Sequence, residues 1–276
     1  MIAKTYSKLS KTLKRILKII NRPEMVILPG NISFALILSI FPSIMILGFI
    51  ISKLNISVEN VLSIVSLNLP DVIYELLIKF LSDEPNIAWI TFIIGLYFSS
   101  NGTKAIIVAA NILYKTEEKN DLKKIVKSLF LVILLMLLFA FTMFVLGFGS
   151  TILKTIIELL EGNYDDVYRV FTILKWPFSF FLIYFFVKIL YTLAPSANIK
   201  SASVTKGAMF TTIGWILSTF IYSVYVSNVA RYDIFYGSLS SIIVLMIWVY
   251  ILSSILVIGI GINADQYLSI KKDEKN

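Results

Sequence analysis

The sequence predicts an all-α fold: a polytopic membrane helical bundle with six transmembrane helices, both termini cytoplasmic, and amphipathic helices at the interfaces. Three observations carry this prediction. Of 276 residues, 58% are apolar and only 15% charged, against roughly 45–50% and 25% in soluble domains; the mean hydropathy is +0.85. Apolar runs of about 20 residues, enough to cross ~30 Å of hydrocarbon, recur along the chain. Basic residues collect in alternate connections, as the positive-inside bias requires.

Before the first span, Tyr6, Leu9, Leu13, Ile16, Leu17 and Ile20 recur at helical spacing, with Lys8, Lys11, Lys14, Arg15 and Lys18 on the other faces. This pattern predicts a basic amphipathic helix on the cytoplasmic leaflet. It would be either an orientation anchor or a lipid-collecting element. It lacks the short apolar region and small-residue cleavage site of a signal peptide. The six spans are then Asn31 to Ser52, Ile87 to Ala109, Ile125 to Phe148, Val167 to Leu190, Val204 to Val226 and Ser240 to Asn263. Between the first two, Pro70 and Asp71 open an apolar stripe of Val72, Ile73, Leu76, Leu77, Phe80 and Leu81. It predicts a helical segment on the outer side. No internal linker divides the chain. It reads as a single membrane domain, 1–276: a cytoplasmic basic helix (1–30), a six-helix bundle (31–264) with the external segment (53–86), and a cytoplasmic tail (265–276).

Charge sorting sets the orientation. The segment to Gly30, the second-to-third and fourth-to-fifth connections and the tail together hold eighteen Lys and Arg; the three opposite connections hold five. The net charge of +8 is accounted for by cytoplasmic flanks facing anionic headgroups, so membrane lipids are the expected partners and nucleic acid is not. Both termini are then cytoplasmic.

Histidine and cysteine are both absent, which removes the commonest general base, the commonest metal ligand and any thiolate nucleophile. The acids are dispersed over loops, and no phosphate-binding loop with a following Lys-Ser/Thr occurs. The chain is read as not an enzyme, with no cofactor and no metal.

Irregularities within the spans supply the candidate site. Pro42 and Pro177 sit near the middle of spans one and four and are read as helix breaks, as in a three-plus-three inverted repeat. In span two, Ser99-Ser100-Asn101-Gly102-Thr103-Lys104 interrupts the apolar run, with Gly102 a third break. A single helix from Ile87 to Tyr114 would be ~42 Å long, so it must tilt, break or protrude. Lys104 is then either a cation for a phosphate or carboxylate or a side chain snorkelling to headgroups. Lys175, two residues before Pro177, calls for a polar cavity or a partner. Asn101, Asn111, Asn228 and Asn263 are read as hydrogen-bonding between helices, with Asn101 and Asn111 alternatively contacting a substrate. Arg231, Asp233 and Tyr236 would line the outer mouth.

The last stretch, Tyr236-Gly237-Ser238-Leu239-Ser240-Ser241 followed by Leu245-Met246-Ile247-Trp248-Val249-Tyr250 and Gly259-Ile260-Gly261-Ile262-Asn263-Ala264, resembles the YihY/BrkB family signature. Ser39-Ile40-Phe41-Pro42, Ser99-Ser100-Asn101-Gly102, Ala110-Asn111-Ile112-Leu113-Tyr114, Leu193-Ala194-Pro195 and Gly207 are similar to further family positions. Phe34 stands where the family usually has tyrosine, and Ile262 where it often has glutamate or leucine. The resemblance implies a bacterial inner-membrane protein with six spans and cytoplasmic ends, of a kind linked to serum resistance and to envelope lipid or lipopolysaccharide export. Members formerly carried a ribonuclease BN label.

The leading expectation is a transporter or flippase-like protein for an amphipathic anionic envelope substrate. The competing one is a structural or regulatory membrane protein, acting as a homo-oligomer or with an envelope-complex partner, for which Gly207, Gly214, Gly259 and Gly261 would give close packing. An ion channel is weaker, because no acidic ring or filter-like loop is visible. A polar groove joining Lys104, Lys175 and Arg231 would favour transport; a dry core would favour the structural reading.

Overall fold

The computed structural model describes residues 16–53, 85–118, 120–143, 164–228 and 239–274. Every described element is helical, and no strand occurs among the described residues. A short helical segment at 16–20 precedes α1 (Glu24–Lys53), α2 (Pro85–Tyr114), α3 (Asp121–Met143), α4 (Tyr164–Leu193), α5 (Thr205–Asn228) and α6 (Leu239–Asp273), with a 3-10 turn at Ser201–Val204. Among the described residues, three segments are long and apolar enough to cross a membrane, Ile93–Tyr114, Ser201–Val226 and Ile242–Asp273; Glu24–Ser39 and Pro177–Leu193 are shorter apolar helices. The external segment at 54–84, residues 1–15, and Arg231, Asp233 and Tyr236 lie outside the described residues.

Local chemistry sets the helix ends. Pro85 occupies the first position of α2, where its missing N–H costs nothing. At the other end Lys115 takes a positive φ of 53°. The Lys115 N–H donates to Ile112 O at 3.2 Å and the Thr116 N–H to Asn111 O at 2.9 Å, the paired closing bonds of a left-handed cap. Asn120 caps α3, its Oδ1 accepting the Lys123 N–H at 3.2 Å. Pro195 follows α4 and prevents its continuation.

The three expected breaks do not interrupt their helices. α1 runs through Pro42, α4 through Pro177 and α2 through Gly102. A proline removes one rung of the ladder and leaves the others. The polar run in α2 stays helical because its hydroxyls bond back to their own helix: Ser100 Oγ donates to Tyr97 O at 2.6 Å and Thr103 Oγ1 to Ser100 O at 2.9 Å. α1 and α6 also outrun the expected spans, to Glu24 and to Asp273. The stretch after Asn263 loses hydropathy but contains neither Gly nor Pro, and Lys271 and Lys272 in its last turn suit the helix dipole.

Each helix packs on its chain neighbour, most extensively α1 on α2, and α6 closes the ring against α1 while also reaching α2. The described core gathers at the end where α1, α3 and α5 begin and α2, α4 and α6 finish, around Ile32, Ile107, Ala110, Val187, Leu190 and Ile260. Basic residues of the connections cluster there, so it is called the basic end below. The outward faces are apolar: Val26, Phe34 and Phe220 are each more than 60% exposed.

The α5–α6 seam depends on two glycines. A Cβ on Gly259 would collide with Thr211 Oγ1 and the Tyr191 hydroxyl, and one on Gly207 with the Gly259 carbonyl and the Asn263 amide. A Cβ on Gly30, by contrast, would meet nothing within 4 Å. Gly259→Ala should therefore lower the melting temperature of the detergent-solubilised protein, overpacking costing about 1–3 kcal/mol. Gly30→Ala should raise it, by the roughly 1 kcal/mol helix preference for alanine. Tryptophan fluorescence on heating reads both.

Candidate functional site

α2 carries Tyr97, Asn101 and Lys104 at i, i+4 and i+7, hence on one face. Lys104 Nζ lies 4.7 Å from the Tyr97 ring centroid and donates to Asn101 Oδ1 at a long 3.4 Å. Asn101 is exposed and Lys104 half-buried. Around them Ile93, Ile94 and Phe98 are exposed, while Thr103, Ala105, Ile106 and Ile107 fill the buried side of the same helix. The ammonium therefore looks out of the bundle, resting on a ring whose face attracts cations. It does not point into the core.

Gly102 is a contact point between α1 and α2. Its N–H donates to Ser39 Oγ at 3.1 Å, Ser39 in turn donates to Ala35 O at 2.7 Å, and a Cβ on Gly102 would come within 3.0 Å of Leu36 Cδ2 and of Ser39 Oγ.

Asn111 lies two heptads beyond Tyr97 on the same face, ~10 Å past Lys104. There the face turns from exposed to buried. Its Oδ1 accepts the Ser196 N–H at 2.7 Å and the Thr116 hydroxyl at 3.1 Å. Ser196 Oγ donates to Glu118 Oε2 at 2.9 Å, and Lys127 Nζ donates to Pro195 O at 2.8 Å. Asn111 thus ties the turn after α2 to the turn after α4. Behind this network, the space between Ala110, Tyr114, Tyr191, Ala194, Pro195 and Ile260 is too small to admit a water molecule. The basic end is sealed by apolar packing under a polar lid.

Lys175 lies on α4 with its side chain outside the described part, as does that of Pro42 on α1. No described groove joins Lys104 to it. Among the described residues, no group of three or more Asp and Glu is placed to hold a metal ion.

Sequence reasoning marked Gly207 and Gly259 for close packing and Asn263 for a hydrogen bond between helices, but missed Tyr191, Thr211 and Trp215, which complete the seam. The fully buried Tyr191 hydroxyl donates to Leu256 O at 2.8 Å and stands 2.6 Å from Thr211 Oγ1. Trp215 Nε1 donates to Leu252 O at 3.0 Å, and Asn263 Oδ1 accepts the Gly207 N–H at 2.8 Å. It also missed Ser196, Glu118 and the Arg22–Asp265 ion pair at 2.9 Å. The available signal was a pair of adjacent hydroxyl residues in each of two apolar runs, Tyr191-Thr192 and Thr211-Thr212, which is weak because tyrosine and threonine are common there.

The Virulence factor BrkB family profile matches residues 17–275. The chain belongs to this family. A relative named "Putative ribonuclease-like protein YfkH" from Bacillus subtilis (strain 168) is 28% identical over 253 residues, covering 90% of this chain and 92% of its own length. A "UPF0761 membrane protein" of Coxiella burnetii (strain Dugway 5J108-111) is 30% identical over 96 residues, 32% of this chain and 34% of that protein. One of Klebsiella pneumoniae (strain 342) is 25% identical over 118 residues, 42% and 38% of the two chains. No solved structure matches. In this BrkB family chain the signature residues Gly207, Gly259 and Asn263 meet at the α5–α6 seam, and Asn111 and Pro195 at the lid.

Asn111→Ala would leave the half-buried Ser196 N–H without its acceptor, at a cost of about 1 kcal/mol. The melting temperature should fall, and hydrogen exchange should accelerate at Ser196 and in residues 115–118 while α5 and α6 stay protected.

Proposed function

We propose that this BrkB family membrane protein moves an amphipathic anionic envelope substrate, a lipid, across a bacterial cytoplasmic membrane. In this reading all six helices cross the bilayer, both termini are cytoplasmic, and the basic end is the inner one. The observation that carries the proposal is the placement of Lys104. A half-buried ammonium, set on Tyr97 and beside Asn101 among exposed apolar side chains, is reachable from the lipid rather than from a water-filled core. An unpaired cation at such a depth is expensive unless it meets an anion. A lipid phosphate is the anion available there, its acyl chains lying along Ile93, Ile94 and Phe98.

Lys175 would be a second cation on the route, and Arg231, Asp233 and Tyr236 its outer mouth. The sealed basic end would be the closed inner gate of such a carrier. The ribonuclease-like name of the Bacillus relative is not carried over, because hydrolysis of RNA on a metal needs a cluster of ligands, and none gathers among the described residues.

A second reading is supported by the same seal. With no room for water between Ala110, Tyr114, Tyr191, Ala194, Pro195 and Ile260, the chain would be a structural or regulatory subunit of an envelope complex, and Lys104 would only snorkel.

Reconstituted vesicles separate the two. The full chain should expose inner-leaflet fluorescent anionic lipid to a membrane-impermeant reductant faster than empty vesicles do. A hydrogen bond to a charged group is worth about 1.5 kcal/mol or more, so Lys104→Ala should slow this about tenfold without changing the melting temperature. No flip with any lipid would sink the transport reading.

A further inference from the structure

Residues 16–22 are docked against the far part of α6 by two unlike contacts. Ile19, 1% exposed, is turned into the bundle. A Cβ on Gly261 of α6 would reach its Cγ2 at 2.8 Å and the Met25 Cε at 3.1 Å, so glycine makes room for both. One turn on, Arg22 Nη2 donates to Asp265 Oδ1 at 2.9 Å. An apolar contact and an ion pair, three residues apart, fix the rotation of the segment 16–20 about its axis.

That rotation decides what faces outward. Leu17 and Ile20, 51% and 42% exposed, share one side at i and i+3, with exposed Lys18 beside them. The exposed apolar surface continues along the chain at Val26 and Ile27, 77% and 69% exposed at the start of α1. The chain here is basic in balance: the first 30 residues hold seven Lys and Arg against Glu24 alone, while at the end of α6 exposed Lys271 and Lys272 stand beside exposed Asp273 and Glu274. Apolar side chains at the level of a helix start, in a stretch of net positive charge, complement an anionic lipid leaflet. Each cation near such a surface gains about 1 kcal/mol.

We propose that residues 16–22 form a foot seated on the anionic leaflet, with Leu17 and Ile20 at the acyl boundary and Lys18 among the phosphates. α6 holds it in that orientation through Ile19 and Arg22. The foot is part of the bundle, so lipid composition at the surface acts directly on α6, whose upstream part forms the seam with α5. This inference does not depend on the role of Lys104.

The chain contains no cysteine, so Leu17→Cys, Ile19→Cys and Ile20→Cys can each carry a single bimane label in the otherwise intact protein. Each is reconstituted in phosphatidylcholine vesicles, with and without phosphatidylglycerol, containing lipids brominated at shallow acyl positions in both leaflets. Leu17→Cys and Ile20→Cys should be quenched, at least about twofold more with phosphatidylglycerol. Ile19→Cys should label slowly, and adding Arg22→Ala should bring its labelling to the rate of its neighbours. Should Ile19→Cys fail to fold, Arg22→Ala in the Leu17→Cys protein should still diminish the quenching, because the rotation is no longer fixed. Labels at 17 and 20 that stay unquenched would show that the face meets water or a protein partner. Equal quenching in the two lipids would remove the anionic requirement, and an Ile19→Cys that labels as fast as its neighbours with Arg22 present would remove the docking. Any of these results overturns the proposal.

Discussion

The crossing of α5 and α6 at Gly207 and Gly259 is the constraint on which the described bundle depends. Apolar helices gain little from one another in a bilayer, because lipid tails solvate them equally well. What holds them is close packing and the hydrogen bonds that close packing permits. Removing two side chains lets the backbones approach, and polar groups of the facing helices close the gaps: Asn263 of α6 accepts from the first turn of α5, and Thr211 of α5 and Tyr191 of α4 reach carbonyls of α6. Asn263 takes up one of the N–H groups that every helix start leaves unpartnered. Tyr191 brings α4 into the same junction, so three of the helices share it.

The remaining contacts follow the same logic at lower density. Gly102 and Ser39 join α1 to α2; Thr103 Oγ1, donating to Ser128 O at 2.8 Å, joins α2 to α3. Asn111 and Ser196 bridge the turns behind α2 and α4. Most of these polar groups serve a neighbouring helix or turn. Lys104 differs: its partners, Tyr97 and Asn101, lie on its own helix and its direction is outward. Lys188 and Lys271 also rest on rings of their own helices, Tyr184 and Tyr267; the transport proposal rests on Lys104 because it stands beside Asn101 among exposed apolar side chains.

Much of this was legible in the sequence, within limits that have physical causes. The apolar runs located the helices to within a few residues at several ends, because burial in lipid demands continuous hydropathy. They failed at Glu24, where the helix runs from apolar Met25 to Leu28 through Pro29 and Gly30, and at Asp273, where the helix leaves the apolar layer and continues on propensity alone. Ser99 to Lys104 read as a break because polar residues in a run suggest loop; hydroxyls that bond to their own helix carbonyls make such a run compatible with helix. Asn101, Lys104 and Asn111 were singled out together, yet only the first two share a site, since Asn111 is drawn into the lid by a turn 85 residues away. Tyr191 escaped notice for the same reason: its partners are non-local, and no local pattern marks them.

The central claim is that the described core is dry while the Lys104 face is open to lipid. Single cysteines placed at Ala110, Ile107 and Lys104 in this cysteine-free chain test it by reaction with a small charged thiol reagent applied to both sides of intact membranes, read against a brominated-lipid quencher. The account predicts no reaction and no quenching at 107 and 110, and quenching by lipid at 104. Rapid reaction of the Ala110→Cys protein with the charged reagent would mean an aqueous path through the basic end, and would contradict it.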